Sequence, residues 1–479
     1  MIVWFHVALL YAAACAGTSW ILTHHNSDTV LPALISIVDW EPYYWGDNRF
    51  GMLVPLLATP IRDYATNLMF QNALTVWSGL VAVWFIARLV SGFRDGRTGM
   101  MTAALVLCIA FAVFREHAAL VLLIQSNYLP SLALLLAALS LSLSRGVHPV
   151  ARYAGVAIML FGSFWTNFAN IVFGFSLFVL WPPSPEYPWR RRALACALVA
   201  ACYGFSMATA AAYSPQIAHR EFLPVSEYWT SLSKLLADAS RVLVNMPAVI
   251  ALLSAALLAV AFQRPWRQSR LIERWSHPAV VLIIASLIYI GAAGASAWVK
   301  KNNWDSRYIS SQLLVIVCAS ASVLVKPLAG AVVQRLGQRT APTVACLLVV
   351  AMATSAFGFP SRGRGTEILR KAMSRDENWY AHPSCTHLVG DYWRVWKLEF
   401  HDRLIGRKPP RFAVTDRAEW TRPEWNAGPE RDRTYCSASD DPSIEHSRRV
   451  NAVPQLEPAG QYGATLLFRT TAFSHGRLP

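Results

Sequence analysis

The chain has 479 residues, of which 54% are hydrophobic and only 15% charged, with a formal net charge of +15. Soluble globular domains carry about 25% charged residues. Composition and repeated long apolar runs therefore exclude a soluble enzyme and point to a polytopic membrane protein. The positive balance is no nucleic-acid footprint, because much of it sits in short loops between apolar runs, where it sets orientation.

The first apolar run, 1–23, lacks a basic leading region and a small-residue cleavage site, so it reads as a signal-anchor helix. A long first loop, 24–70, follows, with a polar core from His24 to Asp63. It carries Asp28, Asp39, Glu41 and Asp47 against Arg49 and Arg62, with Trp40, Tyr43, Tyr44 and Trp45 between them. Val30, Leu31, Leu34, Ile35 and Val38 keep helical spacing, which predicts an interfacial helix after Asp28.

Ten further apolar spans fall at about 71–93, 100–114, 127–144, 153–166, 168–182, 193–213, 246–263, 278–298, 309–325 and 341–358, making eleven transmembrane helices. With the N-terminus in the cytoplasm, the inner loops collect fourteen Arg and Lys against Asp95, Glu186 and Glu273. That is a positive-inside pattern. The stretch 153–182 could be one tilted helix, but a single crossing would put Arg190, Arg191 and Arg192 outside. A hairpin turning near Trp165, Thr166 and Asn167 keeps the charge rule. In the outer loop 214–245, Leu232, Leu235, Leu236, Ala239, Val242 and Leu243 predict an amphipathic helix at the interface.

The tail, 359–479, turns abruptly polar and predicts a small extracytoplasmic domain, α/β or β-rich, beyond a membrane domain of 1–358. Arg394–Phe400 (RVWKLEF), Arg411–Thr415 (RFAVT) and Ala464–Phe468 (ATLLF) read as strands, and Asp440–Gly460 as a loop. Cys385 and Cys436 are the only cysteines of the tail and suggest a disulfide outside the cytoplasm.

Asp28 is the leading chemical candidate. An ionisable group just past a membrane helix is costly unless it works or is paired. A carboxylate facing a cavity could take the proton of an acceptor hydroxyl as a general base. The competing reading is a helix cap, since Ser27, Asp28 and Thr29 make an ordinary N-cap neighbourhood. Asp47 and Arg49 share its loop and could bind sugar. Arg115, Glu116 and His117 close the third span: Arg115 suits a phosphate, and Glu116 with Asp28 would be compatible with a divalent metal. No ligand cluster with metal spacing appears, so the sequence assigns no cofactor. Lys300, Lys301 and Arg307 in KKNNWDSRY break the positive-inside pattern and suit a lipid-linked phosphate or, more generally, lipid headgroups. Asn127, Trp165 and Asn167 stand at predicted outer helix ends, lining a cavity or binding neighbouring helices.

Three features carry a resemblance: NSDTVLPAL around Asp28 followed by YYWGDNRFGMLVPLL, the late pair Arg307-Tyr308 opening a helix, and the polar tail with Asp391-Tyr392-Trp393. The layout resembles the GT-C class of polytopic glycosyltransferases, and more closely the bacterial members with an NSD-type first loop. The first loop lacks an Asp-Glu pair at Asp28, and Glu116 would stand in for a second-loop aspartate. The resemblance implies a polyprenyl-phosphate-linked sugar donor, a glycan or lipid acceptor, work on the outer face of a bacterial inner membrane, Asp28 as base, and Arg115, Arg307 and Tyr308 near the donor. Two other classes stay open: a lipid or polysaccharide transporter or flippase without covalent chemistry, against which no internal repeat is evident, and a scaffold whose tail binds a partner.

Overall fold

The computed structural model describes residues 1–25, 27–44, 50–92, 96–114, 127–144, 146–182, 187–213, 221–262, 277–374, 387–390, 392–406, 411–414, 435–437, 455–462 and 465–472. In chain order the helices are α1 Ile2–Gly17, α2 Ser27–Val38, α3 Leu53–Ala58, α4 Tyr64–Ser91, α5 Gly96–Phe114, α6 Tyr128–Ser142, α7 Pro149–Thr166, α8 Asn170–Leu180, α9 Trp189–Tyr213, α10 Val225–Val242, α11 Met246–Phe262, α12 Pro278–Gly294, α13 Ala297–Lys301, α14 Ser310–Phe357, α15 Arg362–Ser374 and α16 Tyr392–Leu404. The strands are β1 His387–Gly390, β2 Arg411–Val414, β3 Tyr435–Ser437, β4 Gln455–Tyr462 and β5 Thr465–Ala472.

Among the described residues, five helices are long and apolar enough to cross a membrane, or six if α10 and α11, bent by 104°, make one broken span. Others, such as α1, α6, α8 and α12, are apolar but have only 10–17 residues. A helix of that length rises at most about 25 Å, short of a hydrocarbon core of about 30 Å. The expected spans match helices at nearly every position, but length alone does not give the count of eleven crossings. The break expected within 153–182 is present, at Asn167–Ala169 between α7 and α8. The last two expected spans form α14, whose arms break at Gly337, where φ is 76°. Only glycine adopts that conformation without a Cβ penalty.

The chain divides into two compact units. The first holds Met1–Gly17, Asn48–Val54 and Asn72–Pro360. Its centre is α14, against which α1, α5, α11 and α12 pack, while α7 packs on α6 and α9. The buried faces are built from Ala, Leu and Val, with Val315, Val317, Cys318, Ala319 and Ala321 of α14 fully enclosed. Ser131, Ser163 and Asn170 join α6, α7 and α8 by hydrogen bonds of 2.5–3.1 Å. Inside such a bundle an unpaired polar group costs roughly several kcal/mol, which these bonds avoid for the two hydroxyls and the Asn170 amide nitrogen.

The second unit holds Thr18–Asp47, Pro55–Gln71 and Ser361–Pro479. Here α2 packs on α16, and α15 packs on the 3-10 turn Trp20–His24. The strands form one sheet in the order β2-β1-β3-β5-β4, parallel across β2, β1 and β3 and antiparallel from β3 to β5 to β4. Arg411–Val414 and Thr465–Phe468, within the expected RFAVT and ATLLF, lie in strands, and β4 takes the end of the segment expected as a loop.

RVWKLEF is not a strand but the middle of helix α16. Its local alternation of Trp396, Leu398 and Phe400 with Lys397 and Glu399 suggested period two. The buried set is Val395, Trp396, Glu399, Phe400, His401 and Leu404, a helical stripe. An i,i+4 ion pair from Arg403 to Glu399 at 2.8 Å fixes that choice.

Candidate functional site

Asp28 lies in the first turn of α2 and is 7% exposed. A carboxylate there meets the positive end of the helix dipole. It stands inside the helix rather than at its cap. Pro32, four residues on, has no N–H for the carbonyl of Asp28. The hydroxyl of Tyr44 donates to that carbonyl instead, at 3.3 Å. Tyr43 and Tyr44 are both buried, and Tyr44 folds back on the turn that bears the carboxylate.

The rest of that turn is equally closed. His25 is buried and bonds the hydroxyl of Thr29 at 2.9 Å. Burial, and then the nearby charges of His24 and Lys397, push its imidazole down to about 3, so it is neutral near pH 7. The far end of α2 is held by Asn67, whose amide donates to Ser36 Oγ at 2.6 Å and to the carbonyls of Ala58 and Ile61. Gln71 donates to the carbonyl of Pro32 at 3.2 Å. Asp63 caps α4 through the Thr66 amide at 2.9 Å and pairs with Arg362 at 3.3 Å. Burial opposes its charge, but these bonds outweigh it and hold the carboxyl below its ordinary value.

The cations of KKNNWDSRY lie in the first unit. Arg307 is 6% exposed; its Nε stands 3.2 Å from the Asp305 carboxylate, and its guanidinium lies 5.2 Å from the ring centre of Tyr308. Lys300 pairs with Glu227 at 2.5 Å, and both are about half exposed. Such a surface pair contributes little, about 0–1 kcal/mol, so a stronger anion could displace Glu227. Asn303 and Trp304 both have φ 55°, a left-handed conformation that costs an L-residue roughly 1–2 kcal/mol each.

Beside Tyr308 opens a cavity of about 400 Å³. Its walls are aromatic: Phe50, Tyr128, Phe168, Tyr203, Tyr289 and Trp298, with Asn167 and Glu221 among the polar members. These come from the first loop, the start of α6, the turn between α7 and α8, the middle of α9, the segment before α10, the last turns of α12, and 296–308. Gly51 makes this closeness possible. Its amide donates to the Trp165 carbonyl at 2.8 Å, and a Cβ there would stand 2.6 Å from the Trp165 ring.

Asp28 thus belongs to the second unit, and Lys300, Arg307 and Tyr308 to the first. Asp47, Arg49, Arg115, Glu116, His117 and Cys385 lie outside the described residues. Cys436 is placed in β3 by its backbone. Among the described residues, no three His, Cys, Asp or Glu side chains gather as a metal site. The role of Asp238, which holds the Ser306 amide at 2.9 Å, was not visible in sequence. It is one acid on an amphipathic helix, and its partner lies 68 residues away.

No protein-family model and no curated protein sequence matches the chain. Among solved structures, the crystal structure of ArnT from Cupriavidus metallidurans in the apo state is similar over 98% of this chain and 97% of that one, with a TM-score of 0.53 and 12% identity. At that identity the likeness establishes the fold. It is the GT-C-type polytopic membrane fold that the first loop, the Arg307-Tyr308 pair and the polar tail led us to expect.

Proposed function

We propose that this protein is a membrane glycosyltransferase that moves a sugar from a polyprenyl-phosphate carrier to an envelope glycan or lipid. The observation that carries the proposal is the likeness to ArnT along nearly the whole of both chains, tail included. ArnT is a glycosyltransferase that depends on a polyprenyl-phosphate sugar. In our reading the chain crosses a bacterial inner membrane eleven times, with the N-terminus in the cytoplasm and residues 359–479 forming a domain on the far side. The fourteen-to-three excess of Arg and Lys over acids in the alternate loops supports that orientation.

The chemistry is inverting transfer of a hexose or pentose. Asp28 accepts the proton of the acceptor hydroxyl as the new glycosidic bond forms on the anomeric carbon. The bond from that carbon to the carrier phosphate breaks, and the phosphate leaves with the electron pair. Arg307 holds the leaving phosphate, with Lys300 and Tyr308 beside it. An enclosed carboxylate at a helix N-terminus and a buried guanidinium suit these two roles. Asp47, Arg49, Arg115, Glu116 and His117 complete the proposed substrate contacts, and Cys385 with Cys436 the proposed disulfide. No cofactor is assigned; a divalent metal would need oxygen ligands such as Asp28 and Glu116.

The test is a mass profile of envelope glycans and lipid-linked sugars in a deletion strain, complemented with wild type or Asp28→Asn at matched abundance. We expect one sugar to be lost from a glycan or lipid and restored by wild type alone. Restoration by both removes Asp28 from the mechanism. An unchanged profile together with a build-up of unflipped carrier favours a transporter.

A further inference from the structure

Two stretches far apart in sequence converge on Arg307. One is the turn Lys300–Tyr308, in which Asn303 and Trp304 are consecutively left-handed. Neither is glycine, so this turn persists only where its surroundings over-determine it. Part of the restraint is local: the Trp304 amide donates to the Val299 carbonyl at 2.9 Å, and the Asp305 amide to the Asn302 carbonyl at 3.2 Å.

The rest comes from α10. The Trp304 indole donates to Ser231 Oγ at 3.0 Å, and the Lys234 ammonium sits 4.1 Å from the centre of the same indole. The Asp238 carboxylate accepts from the Ser306 amide at 2.9 Å. Burial opposes the charge on Asp238, but the Ser306 bond and the Arg241 guanidinium outweigh it and hold the carboxyl below its ordinary value. Ser231, Lys234 and Asp238 share one side of α10 at helical spacing. The other side presents Val225 and Trp229, which are 89% and 73% exposed. Asp305 finishes the chain of contacts, accepting from the Arg307 amide at 2.9 Å and facing its Nε at 3.2 Å.

We propose that Asp238 is a positioning residue for Arg307: by fixing the Ser306 amide it sets the start of the short turn from which the guanidinium projects. The proposal rests on the reading above, in which Arg307 holds a prenyl-linked phosphate. A carboxylate bound to a backbone N–H is a charge-assisted contact, stronger and more directional than a neutral one. It anchors the last residue before Arg307. Removing it leaves the turn tied to α10 through Trp304 alone and loosens Ser306, and with it the Asp305–Arg307 pair that the turn carries. The exposed side of α10, with Val225 and Trp229, suits a footing at the membrane interface.

The experiment measures binding of farnesyl phosphate and of farnesol to the full-length protein in nanodiscs. Wild type is compared with Arg307→Ala, Asp238→Ala and Asp238→Asn. Asparagine keeps an oxygen for the Ser306 amide, whereas alanine does not. We expect Arg307→Ala and Asp238→Ala each to weaken farnesyl phosphate binding by about tenfold or more, with farnesol unchanged and Asp238→Asn restoring most of the affinity. If Arg307→Ala binds the phosphate as wild type does, or wild type does not bind it, the reading of Arg307 fails and the inference with it. If Arg307→Ala weakens binding and Asp238→Ala does not, the reading stands and the inference is overturned. Equal loss of phosphate and alcohol in Asp238→Ala reduces Asp238 to a general brace, which also overturns it. So does an Asp238→Asn variant as weak as the alanine.

Discussion

The hydroxyl of Tyr44 takes the place of a missing backbone amide at the carbonyl of Asp28, 3.3 Å away. In an unbroken helix that carbonyl would bond the amide of residue 32, which here is proline. A buried carbonyl left without a partner costs about 1–3 kcal/mol. Tyr44→Phe is therefore expected to lower the thermal midpoint of the detergent-solubilised protein. Pro32→Ala, which supplies the absent amide, should recover most of the loss in the double variant while changing wild type little. Equal and additive effects of the two substitutions would show that Tyr44 and Pro32 do not share this carbonyl.

His25 makes the second unit sensitive to acid. Its folded value, about 3, lies below the ordinary 6.5, because burial and the charges of His24 and Lys397 disfavour the imidazolium. The unfolded state therefore binds the extra proton between those values. The contribution is fully present above the unfolded value and is lost as pH falls from there toward the folded one. The slope from this one group is at most about 1.4 kcal/mol per pH unit. Thermal midpoints should stay level above pH 6.5 and fall below it, and His25→Gln should flatten the fall between pH 5 and 6.5. A wild-type slope retained in His25→Gln would assign the acid sensitivity to other groups.

The apolar runs were readable because a membrane helix needs only length and hydrophobicity, and both are local. The turn between α7 and α8 followed from the charge of Arg190–Arg192 alone. Asp28 stood out because an acid next to a span is costly. What stayed hidden is long-range. Thr18–Asp47 and Pro55–Gln71 group with the tail across some three hundred residues, as in the bond from Thr18 Oγ1 to the Ser361 amide at 3.2 Å. The pocket tyrosines Tyr128, Tyr203 and Tyr289 come from three different helices. Each looks like an ordinary residue of its own span. The tail helix was misread because a seven-residue window cannot separate period two from period 3.6 when an acid is buried on the apolar side.

That acid is Glu399, 4% exposed in α16. Arg403 meets it at 2.8 Å and also donates to the Tyr64 hydroxyl at 2.9 Å. Burial lowers the Arg403 guanidinium, but Glu399 and Tyr64 more than compensate and hold it above its ordinary value. Arg403 is a quarter exposed and keeps Tyr64, so removing Glu399 costs the bond and its packing rather than a fully stranded charge. Glu399→Ala should destabilise the second unit by about 1–3 kcal/mol. Glu399→Gln keeps an oxygen for Arg403 and should cost less, and Glu399→Leu with Arg403→Met should regain much of the loss. Limited proteolysis of the tail checks this order; equal susceptibility in all variants would make the pair dispensable.

Gly51 tests the closeness of the first loop to the turn between α7 and α8. An added Cβ would meet the Trp165 indole at 2.6 Å, closer than real contacts allow. The Gly51 amide is tied to the Trp165 carbonyl at 2.8 Å, so the backbone cannot back away without breaking that bond. The ring must therefore turn out of its place. Phe50, next to Gly51, lines the 400 Å³ cavity and lies edge-on to Tyr128 at 6.2 Å, so the strain falls on the cavity wall. Gly51→Ala should lower the thermal midpoint by an amount corresponding to about 1–3 kcal/mol. Trp165→Leu in the same chain removes the clashing ring and should recover part of it. If Gly51→Ala melts as wild type does, the indole has room to move, and the loop is not held there by the absence of a side chain.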